Sequence, residues 1–291
     1  MALSYEGYIN VTDQDVFVPE VWSKDMIIAR ESYLTAAKLV KRYDEEVSNF
    51  GDLIHIPEVS PLVAKAVGTP GSDVQVQSVE EGEKTIAIDK YYEASFYIHD
   101  KFSAQTKYRY AKEMADQAGQ ALAKQMDSDI LALYSSAGSF VGDGATEITK
   151  TTLLDSIAKL DGADVPSNDR HLIVDELGKK QLFKEVDFIR YDATGQASPA
   201  LTGARQGGEF GSIYGVKVHV STNVPVETAT PNVVHGMMFH RDAIGLAVQK
   251  NNKTETQREL KKLATLVVAT VLYGVAVLRA DHLVDVRYKQ A

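Results

Sequence analysis

Residues Leu263–Leu278 read LATLVVATVLYGVAVL, a run without a charge, fenced by Lys261-Lys262 on one side and Arg279 on the other. Two readings compete: a membrane span with cationic flanks, or a core element. Coiled as a helix, the run would be about 24 Å long, short of a hydrocarbon layer of roughly 30 Å. Its valines, its threonines and Gly274 suit a buried strand, or a helix passing into one. A segment apolar on all sides is also at home in a core element covered on both faces. Core is the stronger reading. It predicts helix through about Leu272 and strand from Val275, with Tyr273-Gly274 marking a change of direction.

The rest of the chain sets the context. Its 291 residues carry 31 Lys and Arg against 40 Asp and Glu, a net charge of −9. No segment is basic enough to serve as an electrostatic footprint for nucleic acid. The absence of cysteine removes disulfides, thiolate nucleophiles and thiolate metal sites together. The opening MALSYEGYINVTDQD has no basic segment followed by an apolar run, so no secretory signal is expected.

Residues 1–20 are polar and mixed, an extended arm. From Trp22 to Tyr43, Ile27, Ile28, Leu34, Ala37 and Val40 recur at helical spacing behind a possible Ser23 cap, which predicts a helix. Residues 51–98 alternate apolar and polar positions but are cut by Pro57, Pro61 and Pro70-Gly71. Proline donates nothing to a ladder, so these arms cannot lie inside a sheet. They predict a long hairpin reaching away from the body, with Ile86, Ile88, Phe96 and Ile98 on one side of its return arm. Such an arm is marginal alone and needs a surface to lie on.

Asp100 or Ser103 then caps the clearest helix. Ala111, Met114, Ala115, Ala118, Ala121, Leu122, Met126, Ile130 and Leu133 trace one apolar stripe along it. From Ser103 to Ser136 it would run about 50 Å. Beyond Gly138 follows an α/β mixture: helix TLLDSIAKL capped by Thr151 or Thr152, strand RHLIVDE, helix LGKKQLFKEV, and strands VKVHVSTNVP and NVVHGMMF.

Taken in order, these parts resemble the major capsid proteins of tailed bacteriophages, which share the HK97-like fold. GDLIHIPEV is similar to the family's entry into its E-loop, and IDKYYEASFYIHDKFSAQTKY to the exit into its spine helix. ALAKQMDSDILALY is similar to the end of that helix. EFGSIYGVKVHVSTNVP resembles an A-domain segment, and MMFHRDAIGLAVQ and YGVAVLRADHLVDV resemble the closing segments. The likeness covers roughly residues 20–288 and rests on order and spacing.

The resemblance implies an α+β, HK97-like fold. Its parts would be an N-terminal arm and helix (1–50), an E-loop hairpin (51–99), a P-domain spine helix (100–150), an A-domain (151–250) and a return segment (251–291). It implies a major capsid protein that forms hexamers and pentamers of itself in an icosahedral shell around double-stranded DNA. The virion would be assembled in the host bacterial cytoplasm, and no membrane is involved. The expected partners are a separate scaffolding protein, a portal and a decoration protein, with packaged DNA contacted only weakly because the chain is acidic. Trp22 and Ile27 would anchor the arm. Ile54, Ile56, Ile86 and Ile88 would lie on the adjacent subunit, and Glu80, Glu81 and Lys84 would set the register there. An encapsulin-like compartment is the alternative, and a soluble α/β enzyme with a dimerisation arm a more distant one.

Enzyme signatures are weak, and no catalytic residue, cofactor or metal is expected. His99-Asp100 lacks the further ligands of a metal phosphohydrolase. Asp127 and Asp129 are two apart on a helix and point to different faces. The glycines of GGEFGSIYG precede a strand and match no phosphate loop. His235 and His240 have no carboxylate at ligand spacing, and no serine lies in a nucleophile elbow.

Overall fold

The structure is a computed structural model and describes residues 8–9, 35–47, 51–60, 62–66, 76–79, 81–101, 110–184 and 209–290. The first half contains β1 (Tyr8–Ile9), α1 (Ala36–Leu39), β2 (Lys41–Arg42), α2 (Asp44–Val47), β3 (Leu53–Val59), β4 (Glu81–Ala87), β5 (Lys90–His99) and the long helix α3 (Tyr110–Leu131). Next come β6 (Ser139–Val141), α4 (Lys150–Gly162), β7 (Arg170–Val174), α5 (Glu176–Lys184), β8 (Glu209–Ile213) and β9 (Val216–Val220). The chain closes with β10 (Val226–Glu227), β11 (Val233–His240), β12 (Ile244–Glu259), β13 (Ala264–Val277) and β14 (Leu283–Lys289).

Two sheets make the body. One has the order β1-β5-β13-β12-β2, the other β6-β14-β11-β7-β9-β8 with β10 on β11, and β3 forms a separate two-stranded ladder with β4. The opening stretch is β13, strand from end to end, which corrects the expected helix through Leu272. It is paired along its length with β12 on one side and β5 on the other. Val267, Ala269, Val271 and Tyr273 are buried on one face, and the alternate residues are half-buried, so only one face is fully covered. The run reads as featureless because both of its faces are apolar, whereas its burial alternates with the period of two that a strand requires. No described helix is long and apolar enough to cross a membrane.

Gly274 is not a turn. A Cβ there would stand 2.1 Å from the Ala87 carbonyl oxygen and 3.1 Å from the Ile88 Cα. The glycine therefore marks where the hairpin backbone crosses the sheet, a close approach that a side chain would block.

Other expectations meet local competition. The helix expected over residues 22–43 lies mostly outside the described residues. Within them it stops at Leu39, and Val40 is extended, with φ −93° and ψ 164°. Lys41–Arg42 then pair with Gly245–Leu246, and the Tyr43 amide donates to Leu246 O at 2.9 Å. The open edge of β12 thus overrides the helical spacing. The extended run after residue 81 is two strands in different sheets, β4 and β5, separated at Ile88-Asp89. Thr149, not Thr151 or Thr152, caps α4, its side chain accepting from the Thr152 amide.

The α3 stripe packs on β5 and β13. Ala115, Ala118, Leu122, Met126 and Ile130 are buried as its spacing requires, with Ala123 and Leu131 beside them, while Ala121 is exposed. After Leu131 the helix tightens into a 3-10 turn, Ala132–Ser136. One apolar core joins both sheets to α3, and a second, smaller one lies under the hairpin. The boundary expected at residue 250 falls inside β12, whose ladder runs across it with two register shifts.

Candidate inter-subunit surfaces

The chain enters the hairpin through Gly51, at φ +113°, a region that favours glycine. The Gly51 carbonyl accepts from Gln249 Nε2 at 2.8 Å, which ties the entry to β12, and the Ile88 amide donates to Asp52 O at 2.8 Å, which closes the two ends of the hairpin on each other. Between them β3 and β4 run antiparallel from Leu53↔Ala87 to Val59↔Glu81. The alternation turns Ile54 and its cross-strand partner Ile86 towards the body. There they are buried with Val47, Ala247 and Leu278, and Ile56 and Ile88 pack half-buried at the margin.

For Ile54 and Ile86 this corrects the expectation that they lie on an adjacent subunit, whereas Ile56 and Ile88 keep part of their surface. Ile86 is 0% exposed in the single chain and has no surface left to offer. The alternating pattern correctly marks an apolar face, but that face is seated on the chain's own β12 and on Leu278 after β13. Trp22, Ile27 and Glu80 lie outside the described residues. Glu81 and Lys84 are exposed, and Lys84 Nζ already stands 3.7 Å from Glu58 within the hairpin.

The unsatisfied apolar surface lies further out. Val59, Leu62, Val63, Val76 and Val79 are 46 to 88% exposed. The Gln77 side-chain amide pairs with the Val63 backbone, accepting from its N–H at 3.1 Å and donating to its carbonyl. That pairing holds the two arms together beyond the last ladder pair. Exposed aliphatic residues clustered on one projecting element mark a contact surface more often than a solvated one. Beneath the hairpin is a cleft of about 610 Å³, walled by Ile56–Val59 and Lys84 on one side and by Lys41, Asp242 and Leu278–His282 on the other.

The carboxylates and histidines with the residue types of catalytic groups make structural contacts. Asp127 is buried and accepts from the amides of Thr35 (2.9 Å) and Ala37 (3.3 Å), so α3 supplies the cap of α1. Burial raises its pKa, against the pull of those backbone hydrogen bonds. Asp129 faces the sheet, near Lys90 and Gln125. Asp100, expected as a helix cap, is gripped by the Arg258 guanidinium, which lowers its pKa. His235 does have a carboxylate: its Nδ1 is 3.1 Å from both oxygens of Asp285, and its ring stacks on Tyr134 at 4.1 Å. Asp285 belongs to β14, a strand far along the chain, so local spacing could not reveal it. Arg287 takes the other side of Asp285 at 2.7 Å. Among the described residues no group of three or more His, Asp or Glu is placed to hold a metal ion.

Comparison with known proteins bears on these surfaces. A model of the phage capsid protein family matches residues 81–286. No curated protein matches the chain. Similar solved chains include one from Mycobacterium phage Che8, with a TM-score of 0.72 and 20% identity over 86% of this chain and 89% of that one. The capsid of cyanophage P-SCSP1u gives 0.71 and 19% over 89% of each. A virus-like particle from Pyrococcus furiosus gives 0.59 and 11% over 92% of this chain and 98% of that one.

Proposed function

The chain belongs to the phage capsid protein family, and from that premise we propose that its copies assemble as hexamers and pentamers into an icosahedral shell around a double-stranded DNA genome. It is a structural component of the virion rather than an enzyme, and it has the HK97-like capsid fold. In this reading the hairpin is the E-loop, α3 with the five-stranded sheet the P-domain, and the seven-stranded sheet the A-domain. The outer part of the hairpin lies on the adjacent subunit, with Glu81 and Lys84, and Glu80 beside them, setting its register. Trp22 and Ile27 anchor the N-terminal arm. Assembly takes place in the host cytoplasm with a separate scaffolding protein and a portal, and a decoration protein binds the finished shell.

The observation that most supports assembly is the row of exposed aliphatic side chains on an element too thin to bury them itself. The test is electron microscopy of the purified chain with and without a scaffold partner. Closed shells are expected, and a discrete small oligomer under every condition overturns the reading. A second reading, a compartment that packages a protein cargo, is favoured by the likeness to the Pyrococcus furiosus particle, which spans nearly all of that chain. Nuclease-protected double-stranded DNA inside native particles separates the two.

A further inference from the structure

Two histidine pairs lie at one end of the seven-stranded sheet, where β7 begins and β11 finishes, on its opposite faces. His171 on β7 and His219 on β9 are both buried, with Nδ1 of the first 3.2 Å from Nε2 of the second. The His171 ring also lies beside Phe239, the centroids 5.9 Å apart. One residue on, buried His240 meets His282 edge-on at 5.9 Å. The His282 ring belongs to the turn Ala280–His282, and its Nδ1 is buried with no hydrogen-bond partner. That turn and Asp242 wall the cleft beneath the hairpin.

The chemistry of such pairs is sensitive to protons. An N–H···N bond between two imidazoles holds one hydrogen between the rings. A first added proton can sit on an outer nitrogen and leave the bond intact. A second sets N–H against N–H, with two like charges in a buried site. The charged groups facing the pairs are mixed: Lys217 and Asp169 beside His171, and Arg279, Asp242 and Asp281 beside His282. Asp242 also stands 3.8 Å from His240 Nδ1 and 3.9 Å from Lys41 Nζ. The carboxylates do not prevail. Burial, then His219 and Lys217, hold His171 down to about 4. Burial, then Arg279 and His240, lower His282.

We propose that this end of the sheet is an acid-sensitive latch. With His171 and His282 neutral it fastens β7 to β9 and the turn Ala280–His282 to β11. Charging them releases that edge, and with it one wall of the hairpin cleft, while α3 and the β12–β13 ribbon remain folded. The sign follows from proton uptake. A histidine whose folded value is depressed binds protons more readily once released, so the latch is at full strength above about pH 6.5 and weakens as the pH falls towards 4.

Hydrogen exchange of the full chain as free subunits, corrected at each pH for the intrinsic chemical rate, tests the latch. Protection of residues 170–174 and 216–220, relative to 264–277, should fall on the order of tenfold between pH 7 and pH 5. A constant ratio overturns the proposal. The double variant His171→Gln with His219→Gln should flatten the dependence, and an unchanged fall in the folded variant also refutes it. Should that variant not fold, His282→Gln on the turn takes its place: a reduced fall supports the latch, and a fall of full size refutes it.

Discussion

Tyr273 donates its hydroxyl to Asp129 Oδ2 at 2.8 Å, fastening the middle of β13 to α3. The phenol is fully buried, and burial, then the carboxylate, push its pKa far above the ordinary value, so it remains a donor throughout the accessible pH range. Asp129 also stands 3.3 Å from Lys90 Nζ and accepts from Gln125 at 3.0 Å. Tyr273→Phe keeps the ring beside Tyr92 and removes only the hydroxyl. The expected loss is about 1.5–3 kcal/mol, the range for a hydrogen bond to a charged group. Urea unfolding of the free subunit measures it.

Gly274→Ala should be the most damaging single-methyl change in the ribbon. The new Cβ meets backbone, the Ala87 carbonyl at 2.1 Å, not the flexible end of a side chain. Either β13 or the hairpin base must shift, at about 1–3 kcal/mol or more. Melting of the variant, with faster amide exchange at residues 53–59 and 81–87, is the expected outcome.

Asp127→Ala removes the acceptor that α3 offers to α1. The Thr35 and Ala37 amides then lose their partner in a buried setting, a cost of about 1–3 kcal/mol. Asp127→Asn keeps one acceptor oxygen and should fall between wild type and alanine. Because the damage is local, exchange should accelerate over residues 35–40 before it does elsewhere.

The outer hairpin should behave in the opposite way. Val63→Lys and Val76→Lys lie at positions 68% and 88% exposed, so each should change subunit stability by no more than about 0.5 kcal/mol. Together they should abolish shell formation. Deleting residues 65–82 should likewise leave a folded subunit, since Ile54 and Ile86 keep their seat, but one that cannot close shells. Calorimetry of the subunit and electron microscopy of the assembly reaction measure the two halves of this prediction.

The elements legible in the sequence are those whose partners leave a periodic mark. The α3 stripe from Ala115 to Ile130 and the strands at 170–174, 216–220 and 233–240 stand where spacing puts them. The β13 run conceals its period because the outward residues, such as Leu266 and Val268, are as apolar as the inward ones. Strand β12 hides for the opposite reason: its polar second half, TETQRE, is a strand because Ala264 to Ala269 pair with it.

The hairpin was visible as a hairpin, but its division into a seated base and an exposed outer part was not. Alternation shows that Ile54 and Ile86 share a face. Nothing near them names Ala247 and Leu278 as what that face rests on. The link between His235 and Asp285 is hidden in the same way, by a separation of 50 positions along the chain. Periodicity reports the near side of a contact, and the far side belongs to topology.

The seat of the hairpin also orders events in time. Val47, Ile54 and Ile86 are made first, while Ala247 and Leu278, which complete their pocket, follow only after α3 and most of the seven-stranded sheet. During synthesis from the N-terminus, the projecting arm emerges long before anything can hold it at its angle. A nascent chain therefore cannot hold the arm at its final angle until β12 and Leu278 have been made.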